Sequence, residues 1–117
     1  MTDQDTSGTT APPSLWPAID DLYSRLEATR AHAGTEGLLL RVLKLSEEVG
    51  EVAEAVIGTT GQNPRKGVTH TWEDVQAELC DVVITALVAL RTLTPETREV
   101  FERHLQRVRE RPLGPTG

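Results

Sequence analysis

The fold is decided by residues 36–58, which read EGLLLRVLKLSEEVGEVAEAVIG. Apolar residues recur in this stretch at spacings of three and four, as in an amphipathic α-helix, namely Leu38, Leu39, Val42, Leu45, Val49, Val52 and Val56. Convincing alternation with period two, which would indicate a β-strand, is absent from the sequence. We therefore predict a helix over about residues 36–57, which Gly58 ends as a C-terminal cap.

Similar periodicity and helix-end signals predict three further helices, at about residues 15–30, 71–93 and 95–109. The third begins with Thr71 as N-cap and Asp74 as its partner in a capping box. The fourth begins with Thr94 as cap and Pro95 at the first helical position. These segments predict an all-α fold, a four-helix antiparallel bundle that we expect oligomerisation to complete.

The 117 residues are enough for one domain, which we place at residues 14–111 between a disordered segment, 1–13, and a flexible tail, 112–117. The 12 basic and 18 acidic residues give a net charge of −6, which excludes a nucleic-acid binder that relies on phosphate neutralisation. Cys80 is the one cysteine, so we expect no disulfide framework and interpret this residue as a small buried hydrophobe.

Two features of the sequence bear on its location in the cell. The N-terminus lacks the basic start and apolar stretch of a signal peptide. The longest strongly apolar run, residues 82–90, is far shorter than the roughly 20 residues that cross a bilayer. We therefore expect a cytoplasmic protein with no membrane span.

Two acidic clusters lie in the second and third predicted helices, the first comprising Glu47, Glu48, Glu51 and Glu54 and the second Glu78 and Asp81. Within each cluster the carboxylates are close enough in sequence to share a helical face. On its own, the first cluster is typical of a solvated face, although Leu40 and Leu43 beside it indicate that something covers this side. The second cluster opens a helical stretch that is apolar nearly all round, so we expect its carboxylates to face a packed interface.

A buried carboxylate must be protonated, paired with a base or bound to a metal ion. Bases are few in these two helices, and the acids outnumber them locally. All-oxygen ligands without cysteine or neighbouring histidine suit Mg²⁺ or Mn²⁺ better than Zn²⁺. Because Mg²⁺ commonly engages substrate phosphates, this chemistry favours an anionic phosphate ligand.

The pattern Glu47-Glu48-x-x-Glu51, followed after 26 residues by Glu78-x-x-Asp81, resembles the signature of the all-α nucleoside triphosphate pyrophosphohydrolases, the MazG-like group. The resemblance covers about residues 38–93. It implies Mg²⁺-dependent hydrolysis of a nucleoside triphosphate to the monophosphate and pyrophosphate, in a homodimer or homotetramer. It also implies that Glu48, Glu51, Glu78 and Asp81 are the metal ligands. Glu47 would orient the attacking water or bind a second metal ion.

The chain departs from this family in its last helix, where an asparagine that often serves the phosphates is missing. Arg103, Arg107 and Arg111 lie four residues apart and either contact phosphate or form a solvated basic face. Lys44 is a phosphate contact, a salt-bridge partner of Glu48, or both, and we favour the salt bridge.

The sequence indicates a base-recognition site less clearly than the acidic clusters. Trp72 or Trp16 would line a base pocket or, as we favour, cover the core. Two alternatives to the enzyme stay open: a non-catalytic regulatory protein that binds nucleotide or metal on the same scaffold, and a purely structural acidic bundle.

Overall fold

The structure of the protein is a computed structural model that describes residues 14–29 and 34–113. These residues form four α-helices and no strand: α1 (Leu15–Thr29), α2 (Gly34–Thr60), α3 (Trp72–Leu93) and α4 (Thr97–Arg109). The all-α prediction is therefore confirmed. The predicted disordered segment 1–13, Arg30 at the end of the first helix and residues 114–117 of the tail lie outside the described residues.

The helix α3 is the centre of the bundle, because it contacts each of the other three helices and packs most extensively on α2. The helices α2 and α3 are antiparallel. Arg41, early in α2, donates a hydrogen bond to Thr92 at the end of α3, whereas the carbonyl of Gly58, late in α2, accepts from the backbone of Thr69 and His70 just before α3.

The apolar core joins α1 to α3. Ile19 is 2% exposed and packs with Leu87 and Val88, and Trp16 lies against this cluster. The ring of Trp16 also lies 5.8 Å from that of Phe101 in α4. The interpretation of Trp16 as a core residue is thus confirmed, and its contacts tie three helices together.

A polar network joins α1, α2 and α3. The Arg41 guanidinium donates to Glu27 of α1 at 2.8 Å and to the Thr92 hydroxyl of α3 at 2.7 Å. The ring of Tyr23 contacts two guanidinium groups, with its centroid 5.6 Å from that of Arg41 and 4.2 Å from that of Arg91. The three helices therefore share one charged cluster.

The prediction that Gly58 caps α2 is wrong, because α2 continues to Thr60 and Gly61, with φ +66°, follows it in the left-handed conformation of a helix cap. Gly58 has a different role. A side chain at this position would overlap His70 and Thr69, so the glycine permits the loop to pass close to the helix.

The start of α4 also differs from the prediction, since the helix begins at Thr97 rather than Pro95. Thr94 is the C-cap of α3. Its backbone is extended, with φ −154° and ψ 137°, because a residue before proline favours that conformation. Its hydroxyl accepts a hydrogen bond from the backbone N–H of Glu96, the residue at the N-cap position.

The start of α3 is confirmed. The Thr71 hydroxyl accepts from the Asp74 N–H at 3.1 Å, and the Asp74 carboxylate accepts from the Thr71 N–H at 2.9 Å, which completes the capping box. These hydrogen bonds lower the pKa of Asp74. They fix the residue at which α3 begins, and thereby the position of Glu78 along the axis of α2.

The second half of α3 is covered over most of its length, as expected, because residues 85–92 are all buried or half-buried. Leu87 and Val88 are buried, but Val83 is 55% and Ile84 39% exposed. Cys80 is exposed as well, so its interpretation as a buried hydrophobe is wrong. Across residues 14–29 and 34–113, no helix is long and apolar enough to cross a membrane.

Candidate metal and phosphate site

Burial separates the acids of α2 into two kinds. Glu48 is buried, with 8% of its surface exposed, whereas Glu47, Glu51 and Glu54 are exposed. Glu48 lies on the same helical face as Ala55, seven residues on, which is also buried. The first acidic cluster is therefore not simply a solvated face, because one of its members lies within the bundle.

The face that α2 buries agrees only in part with the predicted apolar stripe. Leu38, Leu45, Val52 and Val56 are half-buried, whereas Leu39, Val42 and Val49 are 56%, 48% and 52% exposed. The contact face also includes two charged residues, Arg41 and Glu48. An apolar pattern could not have revealed this, because charge at these positions conceals the periodicity of the face.

Glu78 of α3 faces the acids of α2. Its pKa is raised, first by partial burial, then by the negative charge of Glu51, by a hydrogen bond with Asp81 and by the charges of Asp81 and Glu48. The four predicted metal ligands thus influence one another electrostatically across two helices. Their combined effect disfavours the ionised form of Glu78.

The four carboxylates are neighbours without being a preassembled ligand set. Within the described residues, no three histidine, cysteine, aspartate or glutamate side chains converge in a metal-binding arrangement. Ionised carboxylates repel each other, and the exposed Glu51 and Asp81 have room to turn away. Carboxylate oxygens are ligands that suit a hard divalent cation. Such an ion would attract all of these oxygens and outweigh their mutual repulsion.

Lys44 provides partial compensation. Its Nζ lies 3.4 Å from Glu48 and 3.6 Å from Glu47, which confirms the predicted salt bridge. The hydrogen bond and charge of Glu48 raise the pKa of Lys44. Since the Lys44 side chain is 56% exposed, it reaches Glu48 from the solvent side.

Glu47, the predicted water-orienting residue, lies at the edge of the cluster. Its side chain is 70% exposed and pairs with Lys44. Unlike Glu48 and Glu51, it is not among the groups that raise the pKa of Glu78. Its role in orienting water stays a prediction.

The predicted substrate contacts outside α2 lie in exposed positions. Arg103, Arg107 and Arg111 are exposed, and in the described part of the chain no ion pair joins them to the acids of α2 or α3. Trp72 is 57% exposed, so its interpretation as a core cover is wrong. Contacts of these residues with phosphate or base stay predictions.

A groove beside the acids was not predicted from the sequence. It has a volume of about 630 Å³ and lies between α1, α2 and α3, with Leu40, Lys44, Ile84 and Thr85 among its walls. The signal that could have found it is the apolar Leu40 two turns before Glu48. This residue is 43% exposed and does not belong to the core.

No family model, curated protein or solved structure matches this chain. The interpretation of the site therefore depends on its own chemistry. Its two decisive residues are Glu48, a buried carboxylate, and Glu78, whose carboxylate is held near other acids on a neighbouring helix.

Proposed function

We propose that the protein is a Mg²⁺-dependent nucleoside triphosphate pyrophosphohydrolase, which hydrolyses a nucleoside or deoxynucleoside triphosphate to the monophosphate and pyrophosphate. The main support is the buried Glu48, which shares the space between α2 and α3 with the acid Glu78. A divalent cation between them would offset the repulsion that raises the pKa of Glu78. The resemblance of the acidic pattern to the MazG-like group supplies the reaction.

In this proposal, Glu48, Glu51, Glu78 and Asp81 hold Mg²⁺, which Mn²⁺ can replace. The metal supplies charge neutralisation for the phosphates and a place for water. Glu47 accepts a hydrogen bond from the attacking water. The water oxygen would form a bond to one of the two phosphorus atoms of the α–β anhydride, and the bond from that atom to the bridging oxygen would break with its electron pair left on the oxygen. The proton released by the water would pass to Glu47 and then to solvent.

Lys44 has a second role in the proposal. In the structure it neutralises part of the charge on Glu48 and Glu47. A metal ion on Glu48 would weaken this attraction and free the ammonium group to contact a phosphate. Lys44 would thus serve as both salt bridge and phosphate contact, the two alternatives that the sequence left open.

We propose a homodimer or homotetramer as the working form. Support comes from exposed apolar side chains on α2 and α3 that no described residue covers, namely Leu39, Leu43, Leu79 and Val83, each at least 50% exposed. A core centred on three buried residues is small for a domain of this length. In the cell, such an enzyme would remove unwanted triphosphates from the cytoplasmic nucleotide pool.

The test is a pyrophosphate-release screen of the full chain against canonical and modified triphosphates, with Mg²⁺ or Mn²⁺. We expect turnover of at least one substrate, a loss of at least a hundredfold in kcat for Glu48→Gln and Asp81→Asn, and near-normal rates for Glu54→Gln. Glu54 is the matched control because it is an exposed acid of the same helix. Absence of turnover across the panel, or equal loss in all three variants, contradicts the proposal.

A second candidate, a non-catalytic protein that binds nucleotide or metal for regulation, is favoured by the position of Glu47. This residue is exposed and paired with Lys44 rather than directed at the other acids. Calorimetry separates the two candidates. Tight binding of Mg²⁺-nucleotide without pyrophosphate release, lost in Glu48→Gln, would identify the regulatory protein.

A further inference from the structure

A second cavity, with a volume of about 500 Å³, lies between the end of α2 and the loop of residues 61–71 that joins α2 to α3. Its walls include Glu54 and Ile57 of α2 and Asn63, Lys66 and His70 of the loop. The four predicted metal ligands do not line this cavity, so it is separate from the acidic site. Its volume lies within the range of about 300–1,000 Å³ that is typical of small-molecule sites.

Backbone hydrogen bonds fix the part of the loop that carries Asn63 and Lys66. The carbonyl of Asn63 accepts from the N–H groups of Lys66 at 3.1 Å and of Gly67 at 2.9 Å. Gly67, with φ +70°, has the left-handed backbone that favours glycine. Farther along, the carbonyl of Gly58 accepts from the N–H group of Thr69 at 2.9 Å. The loop is thus bonded to itself and to α2, so the cavity exists before any ligand binds.

The cavity is lined by two opposite charges that do not neutralise each other. No ion pair joins Glu54 to Lys66, and within residues 14–29 and 34–113 neither side chain has another ionic partner. The polar neighbours Thr69 and His70 engage each other instead, with the hydroxyl 2.9 Å from the ring Nδ1. Glu54 and Lys66 are therefore available to a ligand.

The surroundings of the two charges add to the potential of each. The helix α2 ends at Thr60, so the negative end of its dipole lies on the same side of the cavity as Glu54. On the loop side, the Asn63 side-chain oxygen accepts from the backbone N–H of Arg65 at 3.1 Å, which leaves the amide N–H groups of Asn63 as donors. The helix side of the cavity therefore suits an ammonium group, and the loop side, with Lys66, suits a carboxylate.

We propose that this cavity binds a free amino acid with an aliphatic side chain. Its ammonium group pairs with Glu54, and its carboxylate accepts from Lys66 and from the Asn63 amide. Its side chain lies on Ile57, an apolar residue of the wall that is 45% exposed. The inference does not rest on the proposed function, because none of these residues has a role in the proposed hydrolysis.

The charges of the wall favour a ligand with two opposite charges over a simple ion. Phosphate or another simple anion would be attracted by Lys66 but repelled by Glu54, and a simple amine would meet the reverse. An amino acid instead places one of its charges beside each group. Both of its charges then keep a hydrogen-bonding partner when water is displaced from the cavity.

Calorimetric titration of the full chain with leucine at neutral pH tests the inference. Two analogues of leucine each lack one charge: 4-methylpentanoate lacks the ammonium group, and 3-methylbutylamine lacks the carboxylate. We expect a Kd for leucine at least about tenfold below that for either analogue, because each analogue loses one charge-assisted hydrogen bond. In NMR spectra of the isotope-labelled chain, leucine should shift the backbone amide signals of Lys66 and Gly67.

Two variants assign the two charges. Glu54→Gln should bind leucine at least about tenfold more weakly than wild type and 4-methylpentanoate more tightly. Lys66→Gln should show the same loss for leucine but should bind 3-methylbutylamine more tightly. Arg65→Gln is the matched control, because Arg65 is an exposed base of the same loop that does not line the cavity, and this variant should bind leucine as wild type does.

Four results overturn the inference. The first is equal affinity for leucine and its two analogues, and the second is absence of binding by leucine, isoleucine and valine at millimolar concentration. The third is equal loss of affinity in Arg65→Gln and Lys66→Gln, because a general loss of positive charge would then explain the effect. The fourth is tighter binding of inorganic phosphate than of leucine, which would identify an anion site. None of these measurements uses a nucleotide, so the proposed function is tested separately.

Discussion

Replacement of Arg41 by methionine tests whether the charged cluster between α1, α2 and α3 holds the bundle together. Methionine keeps the aliphatic stem and removes the guanidinium group. That group donates to Glu27 at 2.8 Å and to Thr92 at 2.7 Å, and it lies over the ring of Tyr23. The substitution therefore removes one helix-to-helix link on each side of α2.

The magnitude follows from burial. The side chains of Arg41 and Glu27 are 16% and 26% exposed, which places this pair between a surface ion pair and a fully buried one. Breaking a buried pair costs about 3–5 kcal/mol, and a hydrogen bond to a charged group contributes about 1.5–3 kcal/mol. Because Glu27 keeps a quarter of its exposure and can be rehydrated, we expect a loss of about 2–3 kcal/mol, or roughly 10–20 °C in Tm.

Arg25→Met is the matched control. Arg25 pairs with Asp21 at 2.8 Å, a distance equal to that between Arg41 and Glu27, but the side chains are 72% and 58% exposed. Such a pair contributes at most about 0.5 kcal/mol. Urea denaturation of both variants at one protein concentration measures the difference. Similar free energies of unfolding for the two variants would refute the argument from burial.

Three further predictions concern α3 and the end of α2. Without metal, the raised pKa of Glu78 makes the free energy of unfolding fall as pH rises from the ordinary glutamate pKa through the raised one, because the carboxyl ionises less readily in the folded state. Glu78→Gln should therefore have a higher Tm than wild type at pH 8 and the same Tm at low pH. With Mg²⁺, only wild type should gain Tm, and a gain in both variants would show that Glu78 is not a ligand. Thr71→Ala should lose about 1 kcal/mol in urea denaturation, and Thr71→Ser should restore most of it. Gly58→Ala should lower the free energy of unfolding by about 1–3 kcal/mol, because the methyl group overlaps His70. Gly50→Ala, with open space around it, should raise the same quantity by up to about 1 kcal/mol. The opposite order would contradict the close approach of the loop to Gly58.

The helices could be predicted from the sequence because their signals are local. Leucine and valine spacing identified α2, and the Thr71 capping box located the start of α3. The errors occurred where the same residue type is compatible with two structural roles. Gly58 was interpreted as a cap but is a point of close approach, and Thr94 was interpreted as the start of α4 but is the end of α3.

The site could be predicted only in part. The spacing of Glu78 and Asp81 indicated carboxylates near an interface, and the structure brings Glu78 close to the acids of α2. Which acid of α2 is buried could not be predicted, because the contact face of that helix contains Arg41 and Glu48 among its apolar residues. The groove was not predictable either, since it depends on how α1 and α2 both pack on α3 rather than on each other.

The two charged residues of that face differ in how their charges are compensated. Arg41 and Glu48 are seven residues apart, so both face α3 from the same side of α2. Arg41 meets an acid and a hydroxyl on neighbouring helices, and its charge is satisfied. Glu48 meets Glu78, a second acid, and its one basic partner approaches from solvent. The charge of Arg41 is thus fully compensated within the bundle, whereas negative charge is in excess around Glu48. The divalent cation that we propose at this position would offset that excess of negative charge.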